Sequence, residues 1–200
     1  DSWQAICDSD KIDVVVVASP ASSHQNVLRY LSPTDKAVII EKPAGLDLEA
    51  AENIERLLRR QNTIHAIGFQ FRFEPAILAL RDVISSGDLG RIERIDVRWL
   101  VGGSNARNRA WRWQDSREHG GGILLNFATH VIDYVSMLCG PPKQRHSLTY
   151  SNVVTERPLS TNKSLLLPVD AEDSATVQWS TTLNTECCLV VSNQSLANLG

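Results

Sequence analysis

Residues 13–20 read Asp13-Val14-Val15-Val16-Val17-Ala18-Ser19-Pro20, and residues 37–43 read Ala37-Val38-Ile39-Ile40-Glu41-Lys42-Pro43. Each is a β-branched run without polar alternation, closed by a turn that ends in proline. Such a run predicts a strand buried on both faces of a parallel sheet. Each run leads into a helical segment. Ser22 and Ser23 are placed to cap a helix that ends near Leu31. Asp47 is placed to cap one over 48–60, with Ala51, Ile54, Leu57 and Leu58 on one stripe and charges opposite. A third strand is expected over 63–69. Glu74-Pro75 then opens a helix carrying Ile77, Leu78, Leu80, Val83 and Ile84, which stops at Ser86-Gly87. Three strand–helix units in succession imply parallel strands joined by right-handed crossovers.

Beyond residue 90 the pattern changes. Ile92, Ile95, Val97 and Trp99 sit among charged neighbours, which predicts a half-exposed strand over 91–101. A Gly/Arg/Trp-rich loop over 102–122 leads into a helix over 123–138, stopped by Gly140-Pro141-Pro142. Segments 147–154, 175–182 and 187–192 read as further strands, with a polar loop over 155–163. The expected class is α/β: a partial Rossmann-type parallel sheet over 1–70, the C-terminal part of a dinucleotide-binding domain, then an incomplete α+β domain over 71–200. The second domain is expected to hold a mainly antiparallel open sheet.

The 200 residues are 42% hydrophobic and 22% charged, the balance of a folded chain rather than a disordered one. A formal charge of −3, without long runs of one sign, argues against nucleic acid or an anionic membrane as partner. The apolar runs are far too short to span a membrane. Cys7, Cys139, Cys187 and Cys188 show no metal-ligand spacing. Cys187 and Cys188 should point to opposite faces of a strand as structural filler, and a reducing cytoplasm is the expected compartment. The chain opens at Asp1 and its only methionine is Met137, which reads as a piece of a longer polypeptide.

Two constellations can carry chemistry. In a doubly wound sheet, ligands bind beyond the carboxyl ends of the strands. That places Ser19, Pro20 and His24 after the first strand and Glu41-Lys42-Pro43 after the second. Lys42 is expected there partly desolvated, with a lowered pKa, donating to a substrate oxygen; a plain solvated lysine is the alternative. On the helix over 123–138, Leu124, Phe127, Val131, Val135 and Leu138 form an apolar face, and Asn126, His130 and Asp133 fall opposite. That second face lacks the long charged residues of a solvent face, so it is expected to line a cleft. His130 is its group able to exchange a proton near neutral pH, against the alternative of a satisfied structural histidine. Gly120-Gly121-Gly122 should leave the helix N-terminus open to an anion or polar ligand. Trp111-Arg112-Trp113 supplies a flat apolar surface and a guanidinium. His65, His119 and His146 read as structural or exposed. No G-x-G-x-x-G, P-loop, nucleophile elbow or metal-ligand cluster occurs.

In this order the motifs resemble the Gfo/Idh/MocA oxidoreductases, the glucose–fructose oxidoreductase and inositol dehydrogenase group. The matching residues are Asp13-Val14-Val15-Val16-Val17 with Ser19-Pro20 and His24, Glu41-Lys42-Pro43, and Ile67-Gly68-Phe69-Gln70-Phe71-Arg72-Phe73 running on to Ser86-Gly87-Asp88-Leu89-Gly90-Arg91-Ile92. Trp111-Arg112 ahead of Gly120-Gly121-Gly122, Asn126, His130 and Asp133 completes the series, with Glu172-Asp173-Ser174-Ala175 at the start of a late strand. The resemblance implies a Rossmann domain for NAD or NADP and a second domain whose open sheet forms a homo-oligomer. It implies oxidation of a secondary alcohol on a sugar, polyol or cyclitol, or the reverse. It also implies that His130 is the acid/base and that Lys42 holds the substrate oxygen and the ribose. Asn126 stands where the family usually has aspartate, and Ser19, Pro20, His24, Glu41, Trp111 and Arg112 lie at the nucleotide. Asparagine cannot accept a proton, so a non-catalytic dinucleotide or sugar sensor is the second reading. The family's glycine-rich first turn and ribose-selecting acid are expected upstream of Asp1, and the late sheet is expected to stop early at Gly200. The piece alone should therefore bind a dinucleotide poorly.

Overall fold

A computed structural model describes residues 2–60, 63–102 and 109–195. The chain divides into two compact units, Asp1–Phe69 with Glu118–Gly120, and Gln70–Arg117 with Gly121–Gly200.

The first unit runs α1 (Trp3–Cys7), β1 (Val14–Val17), α2 (Ala21–Leu31), β2 (Ala37–Ile40), α3 (Leu48–Arg59) and β3 (His65–Ile67). The strands are parallel in the order β1-β2-β3, with Val17 opposite Ile40 and Ile40 opposite Ile67. Asp47 caps α3 by accepting the Ala50 N–H at 2.8 Å. α2 starts earlier than the serines suggest: Pro20 takes the cap position, and Ser23, inside the first turn, donates its hydroxyl to the Pro20 carbonyl at 2.7 Å. Leu28, Leu31, Ile54 and Leu58 of the two helices pack on Val15, Val17, Val38 and Ile40.

Among the described residues the strands are covered on one face. Burial alternates, and Val14 and Val16 are 49% and 59% exposed. A β-branched run shows what a strand tolerates, whereas burial on two faces needs two covering layers. Here α2 and α3 share one core on one face.

The second unit contains α4 (Pro75–Ser85), β4 (Arg94–Gly102), α5 (Thr129–Cys139), β5 (Pro142–Ser151), β6 (Glu156–Pro158), β7 (Leu166–Pro168), β8 (Ser174–Thr181) and β9 (Glu186–Ser195). Its main sheet has the order β4-β9-β8-β5, with β4 and β9 parallel and the other pairs antiparallel. β6 falls within the segment expected to be a loop and pairs antiparallel with β7, which follows it. Three-residue strands are too short to show alternation, and Pro158 and Pro168 close their ends. Ile123, Val131, Val135, Ala175, Val177, Trp179, Leu189 and Val191 form the core between α5 and the sheet. Cys187 lies in that core, where burial pushes its thiol up to about 11, while Cys188 is only half-buried. Among the described residues no helix is long and apolar enough to cross a membrane.

Candidate active site

In the first unit, β1 and β2 end side by side, so the turns after them leave from one edge. Ser19 is exposed there, its Oγ 2.6 Å from that of Ser23, and Pro20 is exposed at the start of α2. Lys42 is half-buried, and burial lowers its ammonium pKa against the opposing pull of Glu41. The Lys42–Pro43 peptide is cis. Glu41 lies against the Gly68 backbone and accepts the Lys42 N–H at 3.3 Å. The hydroxyl of Ser19 and the ammonium of Lys42 suit a ribose and a hydroxyl or carbonyl oxygen. The turn Ala18-Ser19-Pro20 has no glycine, so these residues fit that part of a dinucleotide rather than its diphosphate.

His24, expected at the nucleotide, has its ring turned inward. It is 1% exposed, and its ring nitrogens face the carbonyl oxygens of Ser19 and Ala44 at 2.8 and 3.1 Å. A histidine in the first turn of a helix after a strand is legible as a site position; that its ring turns inward to backbone is not.

In the second unit, α5 is preceded by a π-helical stretch, Leu124–Ala128, which the sequence reading treats as ordinary helix. Such widened turns recur at functional sites. Asn126 lies within it, donating its side-chain N–H to the Gly122 carbonyl at 2.7 Å. His130 is 3% exposed, edge-on to Phe71 with ring centroids 4.7 Å apart and 6.3 Å from Trp99. Trp99 in turn meets Phe71 and Phe127 edge-on at 5.1 and 5.0 Å. Arg72 chelates Asp133 with two bonds of 2.9 and 2.6 Å. Part of the face expected to line a cleft, at His130 and Asp133, packs against the 3-10 turn Gln70–Phe73. Missing long charged residues signal enclosed polar groups, and a neighbouring turn encloses them as well as a ligand does.

The helix N-terminus is not open either. Glu172, 6% exposed, accepts the Leu124 N–H at 3.1 Å through its carboxylate, and its main-chain carbonyl accepts the Ile123 N–H at 2.9 Å. Gly122 has φ +99°, and a Cβ there would fall on that carboxylate; one at Gly121 would fall on the Gln114 carbonyl. Arg117 pairs with the far oxygen of Glu172 at 3.3 Å and lies 4.7 Å over the Tyr150 ring. The protein supplies its own anion where a ligand was expected.

Trp111 is fixed by its indole N–H on the Pro168 carbonyl at 3.0 Å and its backbone N–H on Pro158 at 2.8 Å. Buried Asp115 gathers Arg109 at 2.6 and 2.8 Å, Arg157 at 3.0 Å and the Arg112 N–H at 2.8 Å. The Arg112 side chain is exposed. Sequence reasoning missed Glu172 and Asp115 in these roles. Glu172 stands between Ala171 and Asp173, and Asp115 between Gln114 and Ser116, so neither has local spacing that names its partner.

Residues 1–69 match the family model described as an oxidoreductase family with an NAD-binding Rossmann fold, and residues 77–197 match the GFO/IDH/MocA C-terminal domain. The chain belongs to the Gfo/Idh/MocA oxidoreductase family. It is 34% identical over 177 residues to an uncharacterised oxidoreductase of Synechocystis sp., covering 88% of this chain and 47% of that one. It is 29% identical over 184 residues to the levoglucosan dehydrogenase of Pseudarthrobacter phenanthrenivorans, covering 86% and 47%. A solved levoglucosan dehydrogenase in complex with NADH and levoglucosan superposes with a TM-score of 0.91 at 26% identity, over 99% of this chain and 53% of that one. The chain thus spans about half the length of these Gfo/Idh/MocA relatives.

Proposed function

We propose that the protein is an NAD- or NADP-dependent dehydrogenase or reductase acting on a secondary alcohol or ketone of a sugar, polyol or cyclitol. The observation that carries this reading is Lys42: a half-buried ammonium of lowered pKa at the carboxyl edge of a parallel sheet in an NAD-binding Rossmann family. Levoglucosan dehydrogenase and an inositol 2-dehydrogenase among the relatives support the substrate class.

A bound nicotinamide supplies the site that accepts or gives hydride. Lys42 donates to the reacting oxygen and to a ribose hydroxyl. Because its proton is held less tightly than an ordinary lysine's, it is shared more readily as negative charge builds on that oxygen. Ser19 adds a hydroxyl on the same edge. His130 takes the proton of the substrate hydroxyl in oxidation and returns it in reduction, its ring oriented by the Phe71 edge. Asn126, tied to Gly122, helps orient the substrate and exchanges no proton. Trp111 and Arg112 contribute a ring face and a charge at the nucleotide. The outward sheet residues Arg94, Asp96, Gln178 and Glu186 are exposed and suit contacts with a second copy. Free thiols at Cys7, Cys139, Cys187 and Cys188 fit a reducing cytoplasm.

The test uses full-length protein, NAD⁺ or NADP⁺, and a polyol panel. Absorbance of reduced nicotinamide should rise, and Lys42→Ala or His130→Ala should each lower kcat by about 10²–10⁴-fold. The amide at Asn126 favours the sensor as second reading. Tight dinucleotide binding without turnover in either direction would establish that reading instead.

A further inference from the structure

We propose that His24 is a positioning residue, tying the turn after β1 to the turn after β2 and so fixing the backbone from which Lys42 projects. The ring lies in the first turns of α2 with Nε2 2.8 Å from the Ser19 carbonyl oxygen and Nδ1 3.1 Å from the Ala44 carbonyl oxygen. Ser19 belongs to the segment leaving β1, and Ala44 closes the Glu41-Lys42-Pro43 turn leaving β2. Both acceptors are carbonyl oxygens, so each contact needs an N–H. The neutral ring makes one of them, according to its tautomer, and the doubly protonated ring makes both.

Packing alone does not call for this residue. Leu28 and Leu31, further along α2, are buried as deeply and do that work with aliphatic side chains. An imidazole at position 24, carried on the helix that directly follows Ser19-Pro20, can instead join the two turns through one bond from its Nδ1–H to the Ala44 carbonyl, without using the side chains of Ser19 or Lys42. The consequence is felt at Lys42, whose ammonium is held partly out of water. If the Ala44 carbonyl were released, the turn could relax toward solvent and rehydrate the amine. Glu41, the charged neighbour of Lys42, would keep its opposing influence in either case. That Lys42 then addresses a reacting oxygen rests on the dehydrogenase reading; the tie between the turns does not.

The experiment reads Lys42 directly. Lysines of the full chain are dimethylated with ¹³C-formaldehyde and followed by NMR against pH, with Lys42 assigned by its loss in Lys42→Arg. Lys42 should titrate below the other lysines in wild type. His24→Leu should move it up by about one pH unit, and His24→Gln, which restores one donor, should recover part of that change. An unchanged Lys42 titration in a His24→Leu chain with wild-type circular dichroism overturns the proposal. If His24→Leu does not fold, the wild-type ring decides: a His24 ring N–H exchanging slowly with water supports the tie, and rapid exchange at both nitrogens overturns it. Turnover plays no part in these readouts. A shifted Lys42 in a protein inactive on every polyol would therefore sink only the dehydrogenase reading, and an unshifted one in an active enzyme only the tie.

Discussion

Lys42 keeps its ammonium partly out of water, and the burial that lowers its pKa is a cost borne by the folded chain whenever the amine is protonated. A lysine with a folded pKa below its unfolded value near ~10.4 contributes in full above that value, and the contribution is lost as pH falls through the folded one. At neutral pH the penalty is in force. Lys42→Met removes the charge and keeps most of the stem. It should raise the thermal midpoint by about 2 °C at neutral pH, with the gain fading toward about pH 11 as the wild-type amine loses its proton. Scanning fluorimetry at both pH values checks this, and a lower midpoint at neutral pH would contradict it. The setting of Lys42 was legible because strand end, lysine and proline are adjacent in the chain. The setting of His130 was not, because Phe71 and Trp99 come from elements far upstream and no spacing on its own helix names them.

The helix leading to His130 begins on Glu172 rather than on a ligand, and two substitutions separate the shape of that contact from its charge. Gly122→Ala puts a methyl where the carboxylate lies, at a φ that alanine rarely adopts, and should cost about 3 kcal/mol or more. Glu172→Gln keeps the shape and loses the charge facing the helix N-terminus and Arg117, and should cost about 1 kcal/mol. Asp115→Asn weakens a carboxylate that bonds both buried Arg157 and half-buried Arg109. That change should cost about 3 kcal/mol, since it leaves guanidinium charge under-compensated out of water. Urea denaturation of each variant gives these values. At this scale legibility followed locality. The Asp47 cap of α3 and the Pro75 start of α4 were readable within one turn. The π-helical stretch was not, since it depends on where Asn126 and Gly122 find their partners. The β6–β7 ladder was not either, being made of two segments without periodicity of their own.

Across the molecule, two buried clusters carry the cores, one between the parallel strands and their helices and one between α5 and the mixed sheet. Alternation and apolar runs predicted both, and failed only in how many faces of β1 and β2 are covered. The open face carries Val14, Val16 and Ile39, a row of exposed aliphatic side chains. Val16→Thr keeps the branched shape and should change stability by less than about 0.5 kcal/mol while visibly lowering fluorescence of the apolar-surface dye ANS. A loss of several kcal/mol would show that the face is covered after all.

The mixed sheet also sets an order of events. Synthesis runs from the N-terminus, and among the described residues β4 has one sheet neighbour, β9, whose Glu186 stands opposite Arg94. For as long as the ribosome is making everything between them, β4 waits for the one strand it bonds among the described residues. A nascent strand left waiting invites the wrong company from neighbouring nascent chains. Arg94, Asp96 and Arg98, spaced along one side of β4, give it alternating charges that discourage such encounters until its proper mate is translated.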